Sequence, residues 1–439
     1  MLDAASDRDS KPDSRRPVVV VIGPPWPMSG ASRIFRNQID YYHQRGFRTV
    51  FVIVPFHRAF TRSSPIWTGI AEGIADIGAD EIVSAPLDEK RYQMAKYLAS
   101  IKFRFRGSAL DWMYAIANSA PLPASLISEL GRAAVALFHV NYVQSLGFAG
   151  RLRKELQGPG RTIPIILETH DIQSKLLVER SEANPWTRKP DAESNLLRSE
   201  ISMLRQADAL VHLSVDDFGF FEKEMPNKRH FLALPAIDPA FISAVNASPA
   251  FDEQIDLLFV GQNHFPNVEA VKWFLESVWP LLAHRGLRFK IVGPVGSLLK
   301  DCFPGLHEKF VDHFEGYAPN LGSFYNASRC VIAPMVSGSG TSIKTIEALA
   351  LGKPFVGTSK AFRGMPINQI LNAGIQPHDS PGDFADAVVR VLADTRTASE
   401  KSRAAYEKVF SVEANFAARD RSVNAVTGER RELAFSPAP

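Results

Sequence analysis

The chain has 439 residues, enough for two α/β domains that each bury a substantial core. Its composition, 45% hydrophobic and 22% charged, is typical of soluble globular proteins and excludes a wholly disordered chain. A formal net charge of +3 gives no basis for a nucleic-acid-binding protein, and two cysteines exclude a disulfide framework or a cysteine-based zinc site.

The first sixteen residues are polar and mixed in charge, without the apolar stretch of a signal peptide. No later run reaches the roughly 18 apolar residues that a membrane helix needs. We therefore expect a disordered leader over residues 1–16, a loose C-terminal tail, and a cytoplasmic protein that is soluble or peripheral at the membrane. Cys302 and Cys330 each lie beside hydrophobic residues and are expected to be buried thiols.

Short apolar runs alternate with helical patterns through residues 17–240. The first run, PVVVVIG, is continuous and β-branched, which is typical of a parallel strand covered on both faces. Helices are predicted at residues 31–45 and 193–205. Further strands are predicted in RTVFVIVP, AAVALFHVN, TIPIILETHD and ADALVHLS. Strands alternating with helices predict right-handed crossovers and a parallel sheet.

Residues 233–252 are rich in Pro, Ala and Ser, and we place a domain boundary there, after residue 240. A second alternating series follows, with a helix predicted at residues 267–284, another beginning near Ser342, and strands in DLLFVG, RFKIVG, CVIAP and PFVGT. The predicted fold class is α/β, with two Rossmann-like doubly wound domains at 17–240 and 241–411 facing a central cleft. Residues 412–439 are predicted to form a helix that crosses back to the first domain, followed by the tail.

The segment APMVSGSGTSIKTIEALALGKPFVGT reads as a strand, a glycine-rich turn, a helix and a strand. Its glycines allow a ligand to approach the backbone, and the following helix end favours a phosphate. Thr341 and Ser342 are suited to cap that helix. Lys344 could neutralise phosphate charge, and Glu347, on the same helical face, could accept hydrogen bonds from ribose hydroxyls. The pattern alone equally suits a flexible turn before an amphipathic helix with a surface ion pair.

Four stretches between residues 256 and 394, in this order, resemble the donor domain of GT-B glycosyltransferases of family 4. They are LLFVGQNHFPNVEAVKWFLESVWPLL, FKIVG, FEGYAPNLGSFYNASRCVIAPM and the glycine-rich segment. The resemblance implies transfer of a sugar, with retention at the anomeric carbon, from a nucleotide sugar to an acceptor hydroxyl. UDP- or GDP-sugars are the expected donors, without a cofactor or metal. The expected acceptor is a glycan or lipid-linked glycan, in bacterial surface polysaccharide or glycoconjugate synthesis.

The resemblance also implies a set of donor-binding residues. The glutamate matching Glu347 holds the ribose, residues matching Gly316 and Tyr317 lie beside the base, and the glycine-rich turn faces the diphosphate. The full implied donor-binding set is Gly30, Gly261, Asn263, Gly316, Tyr317, Gly338, Ser339, Gly340, Thr341, Ser342, Lys344 and Glu347.

The sequence departs from the family pattern at two places. Ser339 stands where many members have the first of two glutamates, and Gln262 and Asn263 stand where many have an arginine and a lysine. A subgroup with a similar neutral loop has a lysine matching Lys344. We therefore expect Lys344 to be a catalytic residue that supplies much of the charge neutralisation for the leaving group.

The first domain carries weaker signals. The loop PPWPMSG, ending at Gly30, resembles the family's N-terminal glycine loop, although a loop without a catalytic role is a close alternative. LETHDI places His170 and Asp171 at a predicted strand end, and we expect His170 to contact the donor sugar. Asp171 suits catalysis or capping of the next helix equally. His139, in FHVN, is a further candidate for which burial is the stronger reading.

Residues 96–108, KYLASIKFRFRGS, interleave basic and aromatic side chains. They suit either contact with an anionic membrane or, as the stronger reading, an ordinary amphipathic helix or edge strand. No Asp-x-Asp pair stands at a plausible strand end, so we expect no bound metal. Two other functions stay open: a GT-B enzyme of different outcome, such as a sugar-nucleotide epimerase or phosphorylase, and a non-catalytic GT-B scaffold module.

Overall fold

The computed structural model describes residues 16–24, 30–56, 77–85, 87–102, 108–158, 162–182 and 192–428. The chain forms two compact units. Unit 1 comprises Met1–Val211, Phe221–Phe231 and Arg419–Pro439, and unit 2 comprises His212–Phe220 and Leu232–Ala418. The predicted leader, apart from Arg16, and the end of the predicted tail region lie outside the described residues.

A seven-stranded sheet forms the centre of unit 1, with strand order β3-β2-β1-β4-β5-β6-β7. The strands are Val18–Gly23 (β1), Arg48–Ile53 (β2), Glu81–Ser84 (β3), Val135–Asn141 (β4), Ile165–Glu168 (β5), Ala209–His212 (β6) and His230–Leu232 (β7). Strands β1 to β6 pair in parallel, and every residue of β1 is buried, as its β-branched sequence predicts. The strand order reverses between β1 and β4, which brings the ends of these two strands together.

The described helices of unit 1 agree closely with the sequence pattern: the helix predicted at 31–45 spans Gly30–Gln44 and that predicted at 193–205 spans Glu193–Leu204. The first seven described helices are Gly30–Gln44 (α1), Glu89–Lys102 (α2), Ala109–Ser119 (α3), Ala124–Arg132 (α4), Leu146–Leu156 (α5), Gln173–Glu182 (α6) and Glu193–Leu204 (α7). Helix α1 buries Ile34, Phe35 and Ile39 among other apolar residues, which places it against the sheet beside β1.

Unit 2 contains a five-stranded parallel sheet of order β10-β9-β8-β11-β12. Its strands are Ile255–Val260 (β8), Phe289–Val292 (β9), Phe314–Gly316 (β10), Ser328–Ala333 (β11) and Phe355–Gly357 (β12). The order reverses between β8 and β11, so ligands are expected beyond the carboxyl ends of these two strands.

The remaining described helices follow in chain order. They are Val215–Glu224 (α8), Pro239–Ala247 (α9), Phe265–Trp273 (α10), Trp279–Leu282 (α11), Val295–Cys302 (α12), Pro304–Lys309 (α13), Leu321–Ala327 (α14), Ile343–Ala350 (α15), Ile367–Asn372 (α16), Pro381–Ala393 (α17), Thr395–Val409 (α18) and Val412–Thr427 (α19). The helix predicted at 267–284 contains one π-helical turn, Phe274–Val278. Pro280 has no N–H to donate to the carbonyl four residues earlier, which accounts for the irregular turn just before it.

One detail differs from the sequence predictions. Cys330 is fully buried on β11, but Cys302, the last residue of α12, is exposed, so the prediction of two buried thiols is wrong for Cys302. Cys302 lies at the end of α12, beyond Leu299, which is the last buried residue of that helix. Unit 2 contains the short stretch His212–Phe220 as well as Leu232–Ala418, and the chain returns to unit 1 at Arg419, within α19. The division after residues 240 and 411 stays a prediction.

Candidate functional site

The carboxyl edge of the unit 2 sheet is formed by closely spaced glycines. The N–H of Gly293 donates to the carbonyl of Gly316 over 2.6 Å, and the N–H of Gly261 donates to the carbonyl of Val292 over 2.9 Å. Gly293 has φ +107°, and a Cβ there would lie 2.3 Å from the carbonyl oxygen of Gly261. The backbones at this edge therefore leave no room for side chains. Gly293 was not among the predicted residues, although it ends a strand in the same way as Gly261.

The loop after β8 is uncharged, as predicted, and Asn267 fixes its conformation. The Asn267 amide donates to the carbonyl of Gln262 over 2.9 Å, and the N–H of His264 donates to the same carbonyl over 2.8 Å. Asn263 is exposed at the tip of this loop, while Asn267 is buried. Asn267 was not among the predicted residues.

Lys344 lies in the first turn of α15, with its ammonium group enclosed. Its Nζ donates to the Oδ1 of Asn267, lies 3.8 Å from the sulfur of Met335, and sits 4.5 Å from the ring centroid of Phe259. Burial, with a smaller contribution from the nearby Arg363 guanidinium, lowers the pKa of Lys344 to about 7. These neighbours include no carboxylate, so an anion bound here would favour the ammonium form.

The glycine-rich turn between β11 and α15 has a backbone that only glycine adopts easily. Gly338 has φ +115° and Gly340 has φ +63°. Arg363 holds the turn from outside, because its Nε donates to the carbonyl of Ser339 over 3.0 Å. A Cβ at Gly338 would lie 3.3 Å from the guanidinium carbon of Arg363. Arg363 is distant in sequence from the motif, and no local pattern identified it.

The predicted capping roles of Thr341 and Ser342 are wrong. The Thr341 hydroxyl donates to the carbonyl of Leu213 over 2.8 Å. Ser342 occupies the N-cap position, but its side chain makes no capping bond and instead accepts from the Thr345 hydroxyl over 3.0 Å. These hydroxyls form hydrogen bonds to other residues and do not cap the first N–H groups of α15.

Glu347 lies one turn beyond Lys344, and its side chain is 7% exposed. The Tyr325 hydroxyl donates to its Oε2 over 3.4 Å. At the outermost strand of the same sheet edge, Gly316 has φ +65° and Tyr317 is 66% exposed. Glu347, Gly316 and Tyr317, the residues predicted to contact the ribose and the base, therefore all belong to unit 2.

A cavity of about 370 Å³ lies elsewhere in unit 2 and shares no residue with the predicted donor set. Strand β12 and helices α17 and α18 line it through residues that include Phe355, His378, Arg390, Lys401 and Ser402. The cavity lies along the edge strand of the sheet, away from the point between β8 and β11 where the strand order reverses. That point indicates the position expected for a donor site better than the cavity does.

In unit 1, polar side chains meet where β1, β4 and β5 end. Asn141 exchanges two hydrogen bonds with Gln38, of 2.8 and 3.0 Å, and both side chains are buried. The Oδ1 of Asn141 also accepts from the Nε2 of His170 over 2.8 Å. Because a carbonyl oxygen cannot donate, His170 carries its proton on Nε2, and its Nδ1 is the hydrogen-bond acceptor. Gln38 was not predicted.

His170 has φ +62°, a conformation that is costly for a non-glycine residue and is concentrated at functional sites. Its ring stacks on Tyr142 with centroids 4.0 Å apart, and Tyr142 also has a positive φ of 65°. Burial lowers the pKa of His170 to about 4, so the ring is neutral at pH 7. Asp171 follows it, partly exposed, with its N–H donating to the carbonyl of Thr169 over 2.8 Å.

Glu168 and His139 form a buried charged network. Arg419, from α19, donates to both carboxylate oxygens of Glu168 over 2.6 and 3.4 Å, and His139 Nε2 lies 3.1 Å from the same carboxylate. Although burial alone would raise it, Arg419 and His139 hold the pKa of Glu168 below its usual range. The other ring nitrogen of His139 lies 2.7 Å from the Tyr42 hydroxyl. Both ring nitrogens of His139 therefore have buried partners, which agrees with the prediction that His139 is a buried residue. The role of Arg419 could not be assigned from sequence.

Two predicted features lie at the limits of the described residues. Gly30 begins α1, but residues 25–29 of the predicted glycine loop lie outside them. Where side chains are described, no group of three or more His, Cys, Asp or Glu residues could hold a metal ion. The helices within the described ranges include none that is long and apolar enough to cross a membrane.

Comparisons with known proteins agree with this architecture. Residues 254–394 match the model of the family described as Glycosyl transferases group 1. A search of curated proteins found no match. Among solved structures, sucrose-phosphate synthase from Thermosynechococcus elongatus is 16% identical with a TM-score of 0.57, over 93% of this chain and 98% of that one.

Two further structures are similar over nearly the whole chain. HepE from Anabaena, in complex with UDP and glucose, is 14% identical with a TM-score of 0.57, over 94% of this chain and 100% of that chain. An α,α-trehalose-phosphate synthase (UDP-forming) from Burkholderia vietnamiensis is 12% identical with a TM-score of 0.59, over 94% and 99% of the two chains. The predicted fold class, GT-B with two parallel-sheet α/β domains, is confirmed. The chain is a GT-B protein whose residues 254–394 match the glycosyl transferases group 1 model, and these findings support a glycosyltransferase.

Proposed function

We propose that the protein transfers a sugar from a nucleotide sugar to a hydroxyl group of a glycan or lipid-linked glycan, and that unit 2 holds the donor nucleotide. One observation carries this proposal: an enclosed ammonium group, Lys344, and a buried carboxylate, Glu347, follow a positive-φ glycine turn at the point where the strand order of unit 2 reverses. A nucleoside diphosphate presents the complementary groups, anionic phosphates and a ribose diol.

In this proposal each residue binds a different part of the donor. Lys344 and the amides at the start of α15 neutralise the diphosphate, which stabilises the charge of the departing nucleotide. Glu347 accepts hydrogen bonds from the ribose hydroxyls. Gly316 and Tyr317 lie beside the base, where the positive φ of Gly316 exposes backbone groups. No cofactor or metal is included in the proposal.

His170 is proposed to contact the donor sugar. Since its Nε2–H is committed to Asn141, its Nδ1 can accept a hydrogen bond from a sugar hydroxyl. A histidine that stays neutral at pH 7 suits this role, because it can accept a hydrogen bond and carries no positive charge of its own that would attract the diphosphate. Asp171 is kept as a second candidate for a catalytic contact.

The finer assignments rest on the resemblance to family 4 and on the similar structures. HepE has been solved with UDP and with UDP-glucose, which supports a UDP-sugar donor here, with a GDP-sugar as the other choice. Family 4 resemblance supports retention at the anomeric carbon and a cytoplasmic role in bacterial surface polysaccharide or glycoconjugate synthesis.

The first test is thermal stabilisation of the full chain by UDP-, GDP-, dTDP- and ADP-sugars. A ligand at 100 times its dissociation constant adds about 2.7 kcal/mol of stability. We expect one nucleotide to raise the melting temperature of the wild type and to raise those of Lys344→Met and Glu347→Gln much less. Product analysis with the bound donor then separates transfer from epimerisation.

Lys353→Met provides a matched control. Lys353 is also largely buried, and burial lowers its pKa to about 8, but it precedes β12 and its Nζ lies 3.4 Å from the carbonyl of Ser328, which begins β11. It therefore lies at the amino edge of the sheet, opposite Lys344. Undiminished stabilisation in Lys344→Met, or an equal loss in Lys353→Met, would contradict the proposed site. No stabilisation by any nucleotide would favour the scaffold function.

A further inference from the structure

Helix α2 of unit 1 exposes a stripe of large apolar side chains. Met94, Tyr97, Leu98 and Ile101 are 59%, 62%, 57% and 57% exposed. Their spacing of three and four residues places them on one face of the helix. Tyr92, Ala95 and Ala99 are buried and attach the opposite face to unit 1. The stripe is therefore not the core-facing side of the helix.

Exposed apolar residues elsewhere in the described structure are spread out, as is usual for a soluble protein. The other eight large apolar side chains that are exposed are Phe251, Phe265, Leu281, Val311, Tyr317, Val336, Ile367 and Leu371, from 38% to 66%. These eight residues are not grouped as closely in the chain as the four within residues 94–101. A contiguous apolar patch of this kind marks a surface that contacts another phase or molecule.

Basic residues frame the stripe. Lys90 and Arg91 precede Met94 by four and three residues, and Lys102 follows Leu98 by four, so all three share the exposed face. Glu89, the single acidic residue of the helix, accepts a hydrogen bond from Gln93 over 2.7 Å on the flank. The helix carries four basic residues against this one acid. Asp88, just before it, lies 3.7 Å from Arg91 in an exposed pair.

From this arrangement we infer that α2 docks the protein on the surface of an anionic lipid bilayer, with the stripe inserted among the acyl chains and the basic side chains at the headgroups. Long basic side chains that flank an apolar face can extend to the headgroup level while their stems stay in the apolar layer. Positive charge on the same face as the apolar stripe distinguishes a lipid surface from a second copy of this chain, whose identical face would repel it. The inference stands apart from the donor site, which lies in unit 2.

Vesicle co-sedimentation tests it, with vesicles of phosphatidylglycerol and phosphatidylcholine compared with phosphatidylcholine alone. We expect binding to the anionic vesicles that weakens at high salt. Replacing Lys90 and Arg91 by glutamine should weaken binding about 25-fold, since each basic residue near such a surface contributes about fivefold. Leu98→Ser with Ile101→Ser should weaken it at least about tenfold through lost apolar burial.

The matched control is Ile367→Ser with Leu371→Ser, which removes two exposed apolar residues, 38% and 40% exposed, at the same spacing on helix α16 of unit 2. It should leave vesicle binding unchanged. All variants should keep their nucleotide-induced thermal stabilisation, which shows that they are folded and separates this test from that of the donor site. Equal binding by the wild type and both α2 variants, or a change of oligomeric state in place of lost vesicle binding, would overturn the inference.

Discussion

The enclosed ammonium group of Lys344 makes donor affinity depend on pH. Burial and the neighbouring Arg363 lower its pKa to about 7 in the free protein, whereas an adjacent diphosphate would favour the charged form and raise it. Above pH 7 the complex therefore holds a proton that the free protein has lost. Affinity must fall as the pH rises, by about tenfold per pH unit while Lys344 alone titrates.

Isothermal titration of UDP between pH 7 and 9 measures this effect. The terminal phosphate, with a second pKa near 6, stays ionised throughout this window, so its charge does not contribute to the slope. Up to about 50-fold weaker binding is expected at pH 9 than at pH 7, with uptake of close to one proton per UDP at the upper end. Buffers of different ionisation enthalpy give the proton count directly.

Two variants decide the assignment. Lys344→Met should bind UDP about 10- to 150-fold more weakly at pH 7, the value of a charge-assisted hydrogen bond of about 1.5–3 kcal/mol, and its affinity should not change with pH. Lys353→Met should keep the wild-type slope, although Lys353 also has a lowered pKa, near 8. A flat wild-type profile, or a slope that persists in Lys344→Met, would refute the reasoning.

Two further predictions concern buried charge and backbone conformation. Arg419→Met leaves the Glu168 carboxylate buried without its guanidinium and should lower the free energy of unfolding by about 3–5 kcal/mol in urea denaturation, with part recovered by adding Glu168→Gln. Arg419 lowers the pKa of Glu168 in the folded protein, whereas burial alone would raise it, so the variant takes up a proton at a higher pH than the wild type; the difference is largest where Glu168 is ionised in both proteins and shrinks as the pH falls, and an unchanged difference at pH 3 would contradict it. Gly338→Ala should abolish nucleotide-induced stabilisation because φ +115° is strained for alanine, whereas Gly305→Ala, in α13 with open space at its Cβ, should keep it; equal stabilisation in both variants would show that the turn does not form the site.

Much of the fold followed from local patterns. Continuous β-branched runs such as residues 18–22 are typical of a strand covered on both faces, and glycines stand directly after β8 and at the end of β10. These signals are local in sequence, so a single chain displays them. The donor segment was recognisable for the same reason, since its turn, cap position, lysine and glutamate lie within ten residues.

The partners of these residues were not predictable, because they come from distant parts of the chain. Arg363 reaches the turn at Ser339 from 24 residues away, and Arg419 reaches Glu168 from 251 residues away. No periodicity marks such a pair. The capping roles expected for Thr341 and Ser342 failed because each hydroxyl is held by another partner: Thr341 donates to the distant Leu213 carbonyl, and Ser342 accepts from the Thr345 hydroxyl.

The pairing of Glu168 with Arg419 has a consequence for biosynthesis. Glu168 is completely buried, yet the cation that balances its charge lies 251 residues later in the chain. A nascent chain can form the strands of unit 1 early, but their interior contains an uncompensated carboxylate until Arg419 has left the ribosome. Unit 1 therefore becomes fully stable only after helix α19 has been synthesised, and a fragment that stops before Arg419 should depend on chaperones or be degraded.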